Sequence, residues 1–332
     1  MKAMVLAAGL GLRMRPLTLL RAKPVLPVLN RPLLHWTLER LARHGVTEVV
    51  VNLHHLPATV REAAGDGSAF GVRVTYSFEE RILGRSGGPR RVRDVFGREP
   101  FLLVNGDMVF DFDLTRLVAR HRAAGVRATL ALLPNPDPRI YGPIVCDRRG
   151  RILSIAGKPR RARGTVSLFT GVHVLDPALL DRLAEGESDI VDDLYAPLIA
   201  VGEELRGVRV RGAWYDLGAP AFYLSAQLRL LARGRGGSLV HPEARVERGA
   251  RLSRAIVGAG ARVGAGAVVR RSVLWEGSVV EADARVEGSI VTTGAVVPAS
   301  RAARGVMVLE ASSVPAATAG TRVGGSLYVR IP

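Results

Sequence analysis

Met4-Val5-Leu6-Ala7-Ala8-Gly9-Leu10-Gly11-Leu12-Arg13-Met14-Arg15-Pro16-Leu17-Thr18, with Ala22-Lys23-Pro24 shortly after, is the stretch around which the chain is organised. Its apolar start reads as a buried strand ending at Ala8. Two glycines follow, then arginines, then a lysine. Glycine lets backbone N–H groups close on a phosphate with no Cβ in the way. Arginine offers a charged fork to the same oxygens. The combination suits a polyphosphate. Neither standard glycine motif is present. No Lys-Ser/Thr pair completes a Walker loop after Gly9 or Gly11, and Met14 stands where a dinucleotide fingerprint needs its third glycine. On spacing alone, a strand followed by a plain glycine turn is the simpler reading.

A chain of 332 residues is long enough for two domains with a real core. No apolar run approaches the length of a membrane span, and residues 1–8 are too short for a secretory signal. The lone Cys146 excludes an internal disulfide framework and fits a reducing compartment, so a cytoplasmic protein with no membrane partner is expected. Cys146 itself reads as a small core residue rather than a nucleophile. The formal charge is +17, which raises the question of nucleic acid. The basic residues are scattered, however, with no aromatic interleaving, so a solvated arginine-rich surface and no nucleic-acid partner are expected. Such a field still steers anionic substrates inward. Only three of the 47 basic residues are lysines, Lys2, Lys23 and Lys158, which singles out the latter two as functional candidates.

Apolar runs at 2–7, 46–53, 72–76, 101–104 and 128–133 read as strands, and 32–44, 57–64 and 114–124 read as helices. Their alternation predicts an α/β fold with an open, mostly parallel sheet. Ligands of such sheets lie beyond the carboxyl ends of the strands. The glycine loop and Asn105-Gly106-Asp107 both fall at such ends, so one cleft can hold both. A carboxylate at Asp107 is placed to ligate Mg²⁺ beside phosphates, although a turn reads equally from the tripeptide alone. Helices are also expected over 189–199, capped by Asp189, and over 220–233.

The run from Leu6 through Gly9, Gly11, Arg13, Pro16 and Thr18 to Lys23-Pro24 resembles the signature of the sugar-1-phosphate nucleotidyltransferases. That family often has Thr where Leu12 stands and usually Pro where Ala22 stands. The resemblance implies that Ala8, Gly9, Gly11 and Arg13 hold a nucleoside triphosphate, and that Lys23 meets the reacting phosphates. Glu79-Glu80-Arg81-Ile82-Leu83-Gly84-Arg85-Ser86-Gly87-Gly88 resembles the family's loop against the nucleobase, with Arg85 and Ser86 departing from it. Gly84, Gly87, Gly88 and Asn105 are thereby implied in nucleotide binding. Tyr141-Gly142-Pro143 resembles a segment facing the sugar, and a tight turn reads as well from the residues. Gly157-Lys158-Pro159 resembles the family's Glu-Lys-Pro, whose lysine binds the sugar phosphate. Thr170, in Leu168–Val174, would offer its hydroxyl to the sugar, whereas His173 reads as a packed histidine. Trp214-Tyr215-Asp216-Leu217-Gly218 resembles Trp-x-Asp-Ile-Gly, so Asp216 is implied as the second Mg²⁺ ligand beside Asp107.

Beyond the Gly-rich linker Ala232–Ser238 the pattern changes. Val240, Val257, Leu274 and Val291 stand 17 residues apart, as do Val246, Val263, Val280 and Val297, and Leu252, Val269 and Val286. No helix has this period. A three-sided coil does, with one inward aliphatic per side and small residues at the corners. The pattern resembles the left-handed β-helix of hexapeptide-repeat proteins. It fades after Pro298, so residues 305–332, with the strand-like Ser326–Ile331, are expected to cap the stack or to form contacts.

Domains of 1–232, nucleotidyltransferase, and 238–332, β-helix, are therefore expected. The implied reaction joins an NTP to a sugar 1-phosphate and releases pyrophosphate. Mannose 1-phosphate and GTP are the favoured substrates, and a uridylyltransferase or another sugar 1-phosphate is the alternative. A non-catalytic regulatory subunit is the rival of another class. Acyl transfer is opposed by the lack of a histidine after His241. The β-helix is expected to serve assembly of a homo-oligomer or regulation.

Overall fold

The computed structural model describes residues 1–159, 163–234 and 236–332, and Arg235 of the expected linker lies outside them. The chain divides into two compact units. The first comprises Met1–Leu10 and Leu34–Trp214, and the second Gly11–Leu33 and Tyr215–Pro332.

The first unit is built on a nine-stranded sheet. Its strands are β1 (Lys2–Leu6), β2 (Glu48–Leu53), β3 (Arg73–Phe78), β4 (Phe101–Asn105), β5 (Ala128–Pro134), β6 (Pro143–Cys146), β7 (Ile152–Ile155), β8 (Thr165–Leu175) and β9 (Arg206–Arg209). The order is β7-β6-β8-β4-β1-β2-β3, with β5 pairing β8 and β9. From β4 to β3 the pairing is parallel, as the strand–helix alternation predicts. The sheet as a whole is mixed, because β8 runs antiparallel to β4, β5 and β6. The helices α1 (Leu33–Arg43), α2 (Pro57–Ala64), α3 (Gly84–Arg91) and α4 (Leu114–Ala124) connect the strands. β1 presents Ala3, Met4 and Val5 with no exposed surface, as a strand covered on both faces must. Asp113 caps α4 by accepting from the Arg116 amide at 2.9 Å, and Gly125 ends it in the left-handed region.

The second unit joins the segment Gly11–Leu33 to helix α5 (Pro220–Arg233) and a left-handed parallel β-helix. Three stacked sheets form its sides. Val240, Val257, Leu274, Val291 and Val308 pair in register on one side. Val246, Val263, Val280 and Val297 do so on the second. Leu252, Val269, Val286 and Ala303 line the third. The inward aliphatics from Val257 to Val308 are buried, whereas Val240 and Val246 are 39% exposed at the first coil. The corners also recur every 17 residues, at Gly249, Gly266, Asp283 and Ser300 and at Arg254, Arg271, Gly288 and Gly305, all with φ between +48° and +86°.

The coil continues further than the apolar repeat suggests, through Ala303 and Val308. Alanine at position 303 hides the third side from an aliphatic count. Ser326–Arg330 then folds back antiparallel on Val306–Glu310, and Thr321–Val323 pairs with it to form the new sheet edge.

Leu274 is wholly buried in the stack. Leu274→Ala is expected to destabilise the protein by about 2–5 kcal/mol through lost burial and a residual cavity. Urea unfolding, read as a lower midpoint at unchanged slope, checks this.

Candidate active site

In the first unit, β1 and β4 are adjacent and parallel, with Leu6 in register with Asn105. Their carboxyl ends therefore lie side by side. The amide of Gly106 donates to the Leu6 carbonyl at 3.0 Å. A Cβ at Gly106 would fall 2.5 Å from that oxygen, so only glycine permits the approach. The turn places Asp107 directly after the residue that touches the root of the glycine loop. The Asn105 side chain packs on Gly171, where a Cβ would come within 2.7 Å of its Nδ2.

Asn52, at the end of β2, ties the glycine loop to the loop before α3. Its Oδ1 accepts from the Ala7 amide at 2.7 Å, and its Nδ2 donates to Glu79 Oε1 at 2.8 Å. The other Glu79 oxygen accepts from the Leu83 amide at 2.9 Å. Both side chains are buried, Glu79 completely. Gly88 leaves room for this carboxylate, since a Cβ there would stand 2.6 Å from Oε1. Gly87 lets α3 pack against the Gly186 carbonyl, which a Cβ would approach to 2.1 Å. Arg85 Nε donates to Asp189 Oδ2 at 2.6 Å, and Ser86 Oγ donates to Ser188 Oγ at 2.9 Å. The two residues that depart from the family's loop are thus held by one neighbouring segment.

Lys158 follows a two-residue turn in which Ala156 and Gly157 both have positive φ, at 50° and 77°, and Ile155 and Lys158 exchange backbone hydrogen bonds of 2.9 Å. Its ammonium pairs with Asp192 Oδ1 at 3.0 Å. Asp192 lies in the irregular helix Ile190–Tyr195, which Asp189 caps through the Val191 and Asp192 amides. Trp214 gathers a further cluster. Its Nε1 donates to the Thr170 carbonyl at 2.9 Å, lies 3.1 Å from Met108 Sδ, and its ring meets the edge of Tyr141 at 5.5 Å between centroids. Gly142 sits beside Ala156. The Thr170 hydroxyl is buried and donates to the Ala131 carbonyl at 2.9 Å, a bond inside the sheet.

Burial keeps two further groups of this unit neutral. The His173 imidazole is pushed down to about 3 and bonds to the Tyr195 hydroxyl, which suits a packed histidine. Burial pushes the Cys146 thiol up to about 11, which leaves it protonated and unreactive at neutral pH.

In the second unit, Gly11 enters the 3₁₀ turn Leu12–Met14 with φ +59°, and its carbonyl accepts from the Thr18 hydroxyl at 2.8 Å. Leu12 and Arg13 are exposed. Arg13 Nη2 and the Asp216 carboxylate both border Gly218, where a Cβ would stand 3.2 Å and 2.8 Å from them. The Gly218 amide donates to Asp216 Oδ1 at 2.7 Å. Lys23 opens the short turn Lys23–Val25. The flanking residues are anchored. The Arg21 guanidinium stacks 5.2 Å over Trp275, pairs with Glu276 and donates to Thr293 Oγ1 at 3.1 Å. The buried Trp275 donates to the Tyr223 hydroxyl at 3.1 Å, and that hydroxyl donates to the Pro27 carbonyl. Asn30 Nδ2 donates to the Val257 carbonyl at 2.9 Å.

Sequence reading missed Asn52, Asp192 and the Arg21–Trp275 anchor. Only Asn52 carried a signal, as an amide inside an otherwise apolar strand.

The family model described as "Nucleotidyl transferase" matches residues 2–233, and the chain belongs to that family. It is 34% identical over 248 residues to a UTP–glucose-1-phosphate uridylyltransferase of Synechocystis, covering 70% of this chain and 64% of that protein. It is 32% identical over 270 residues to a mannose-1-phosphate guanylyltransferase of Mycobacterium tuberculosis, covering 78% and 75% respectively. The fold resembles a crystal structure of a candidate glucose-1-phosphate thymidylyltransferase from Bacillus anthracis, at TM-score 0.60 and 24% identity, over 70% of this chain and 95% of that one.

Asn52→Ala is expected to cost about 1–3 kcal/mol, because the Ala7 amide and a buried Glu79 oxygen lose their partner together. Chemical denaturation of the variant against the parent measures it.

Proposed function

With that membership as premise, we propose that the chain transfers a nucleotidyl group from an NTP to a sugar 1-phosphate, giving an NDP-sugar and pyrophosphate. The observation that carries this is the abutment of the glycine-loop root and the Asp107 turn at neighbouring strand ends. Mannose 1-phosphate with GTP is the favoured pair, supported by the guanylyltransferase relatives. Glucose 1-phosphate with UTP is the second reading, supported by the uridylyltransferase relative. The catalytic domain is proposed to span 1–232 and the hexapeptide-repeat β-helix 238–332, the latter offering a surface for self-association. A cytoplasmic setting is proposed from the lone free thiol at Cys146, and no helix is long and apolar enough to cross a membrane among the described residues.

The sugar phosphate oxygen attacks the α-phosphorus in line, the bond to the bridging oxygen breaks, and pyrophosphate leaves with that electron pair. No covalent enzyme intermediate is needed. The chain's part is positioning and charge neutralisation. Backbone amides of Ala8, Gly9 and Gly11 and the exposed Arg13 guanidinium hold the triphosphate. Lys23 faces the α-phosphate. Lys158 exchanges Asp192 for the incoming phosphate. Gly84, Gly87, Gly88 and Asn105 border the nucleotide, and Tyr141, Gly142 and the backbone of Thr170 border the sugar. A pair of carboxylates, Asp107 and Asp216, with phosphate oxygens and water completing the shell, is a donor set that suits Mg²⁺. When bound there, Mg²⁺ supplies neutralisation of triphosphate charge.

Pyrophosphate release across a panel of NTPs and sugar 1-phosphates tests the reading. One pair should dominate, and Asp107→Asn or Asp216→Asn should lower kcat by about 10²–10³-fold with an unchanged unfolding midpoint. Folded parent protein that releases no pyrophosphate with any pair would favour the regulatory subunit instead.

A further inference from the structure

A second concave site lies on the first unit, between α4 and the edge strand β9. It is a groove of about 660 Å³. Six arginines line it, Arg116 and Arg120 from α4, Arg149 from the β6–β7 turn, and Arg206, Arg209 and Arg211 from β9 and its continuation. Asp113 is the single carboxylate in the lining; it caps α4 and lies 3.6 Å from the His44 ring, whose pKa burial lowers. No lining residue belongs to the glycine loop, the Asp107 turn or any other part of the candidate active site.

The arginines are unevenly employed. Arg206 donates to the Arg149 carbonyl and pairs with Glu204, yet its buried Nε has no partner among the described residues. The side chains of Arg116, Arg120, Arg149, Arg209 and Arg211 form no ion pair among the described residues, and all five are exposed. Elsewhere on this unit arginines do find carboxylates, as Arg85, Arg93, Arg127 and Arg182 show. Like charges crowded into one groove repel unless an anion joins them. Guanidinium forks match phosphate oxygens two at a time.

We propose that this groove binds a small metabolite carrying two or more phosphate groups. Its volume is in the range of small-molecule sites, about 300–1,000 Å³. It has no aromatic residue in its lining on which a base could stack, which disfavours a single-stranded nucleic acid. Position gives the ligand a lever. The Val210 amide bonds to the Leu132 carbonyl at 3.0 Å, and the Asp111 amide to the Ala213 carbonyl at 3.1 Å. The strand that lines the groove is therefore fixed as it runs toward Trp214. A ligand clamping Arg209 and Arg211 restrains the segment that leads to Trp214, whose ring packs on Tyr141 and Thr170.

Binding is tested without turnover, so its outcome is independent of the proposed reaction. Tripolyphosphate is titrated by calorimetry at constant ionic strength into the parent, Arg120→Ser/Arg209→Ser and Arg13→Ala proteins. The double variant should bind about tenfold or more weakly at one site while unfolding at the parent's urea midpoint. Arg13→Ala should keep that site. Should the double variant be unstable, Arg116→Ser/Arg211→Ser gives the same readout. Equal binding by parent and either double variant, or loss of the site in Arg13→Ala, overturns the proposal. Tighter binding of a short oligodeoxythymidylate than of tripolyphosphate, lost in the same double variant, overturns it in favour of nucleic acid.

Discussion

The hydrogen bond from the Gly106 amide to the Leu6 carbonyl is the contact on which the first unit's chemistry depends. Parallel pairing alone aligns β1 and β4, but pairing ends where each strand ends. The extra bond carries the alignment past the strand ends, into the two loops that hold the candidate residues. It requires that position 106 lack a Cβ, since one would sit 2.5 Å from the accepting oxygen. From Leu6 the constraint passes sideways. Ala7 is fixed by Asn52, Asn52 by Glu79, and Glu79 fixes the Leu83 amide. A buried carboxylate is tolerable only when its oxygens are satisfied, and here one is satisfied by Asn52 at the end of β2 and the other by the Leu83 amide of its own loop. The Asn52 bonds therefore set the spacing of the glycine loop from the loop before α3, and the Leu83 bond fixes the shape of the latter.

The second unit solves a different problem. The segment after Gly11 contains Arg13 and Lys23 but little regular structure, short turns of three or four residues and a hairpin of two-residue strands, Pro27–Val28 and Arg31–Pro32. Turns of that length do not hold themselves. Their stability comes from the Arg21 guanidinium on Trp275, the Tyr223 hydroxyl on Pro27 and the Asn30 amide on Val257. Three of these partners lie in or beside the β-helix and α5. Stacked coils give a stiff support because each coil is bonded to the next along all three sides. The β-helix thus has a structural task within its own unit, in addition to any surface it offers to a partner.

Much of this architecture can be read from residue patterns. Strand and helix positions follow apolar periodicity, because burial selects the same residues that the pattern counts. The β-helix is legible to within a residue, since one aliphatic per side every 17 residues is both its cause and its signature. Legibility fails where contacts join distant positions. The sequence places Gly11–Leu33 with the strand before it, whereas it belongs with residues after Trp214. Nothing in Arg21 advertises Trp275. The Thr170 hydroxyl shows the same limit in another form. A threonine in an apolar strand offers its oxygen either to a ligand or to a neighbouring strand, and only the position of Ala131 decides. The return of β8 through the middle of the sheet is likewise a non-local event.

The departures from the family pattern have an order of their own. Arg85 and Ser86 do not stand alone, because Asp189 and Ser188 receive them. Gly157 replaces a glutamate, yet a glycine is what a tight turn with two positive φ values favours, and that turn presents Lys158. Lys158 in turn pairs with Asp192. One stretch, residues 186–192, therefore meets the α3 loop through Gly186, Ser188 and Asp189, and the lysine through Asp192. Asp189 uses its two oxygens separately, one for Arg85 and one for the amides that start the helix carrying Asp192. Substitutions that share a single supporting segment are coupled rather than independent. A change at Arg85 reaches Lys158 through two hydrogen bonds of Asp189, so the loop proposed to border the base and the lysine proposed to meet the sugar phosphate vary together.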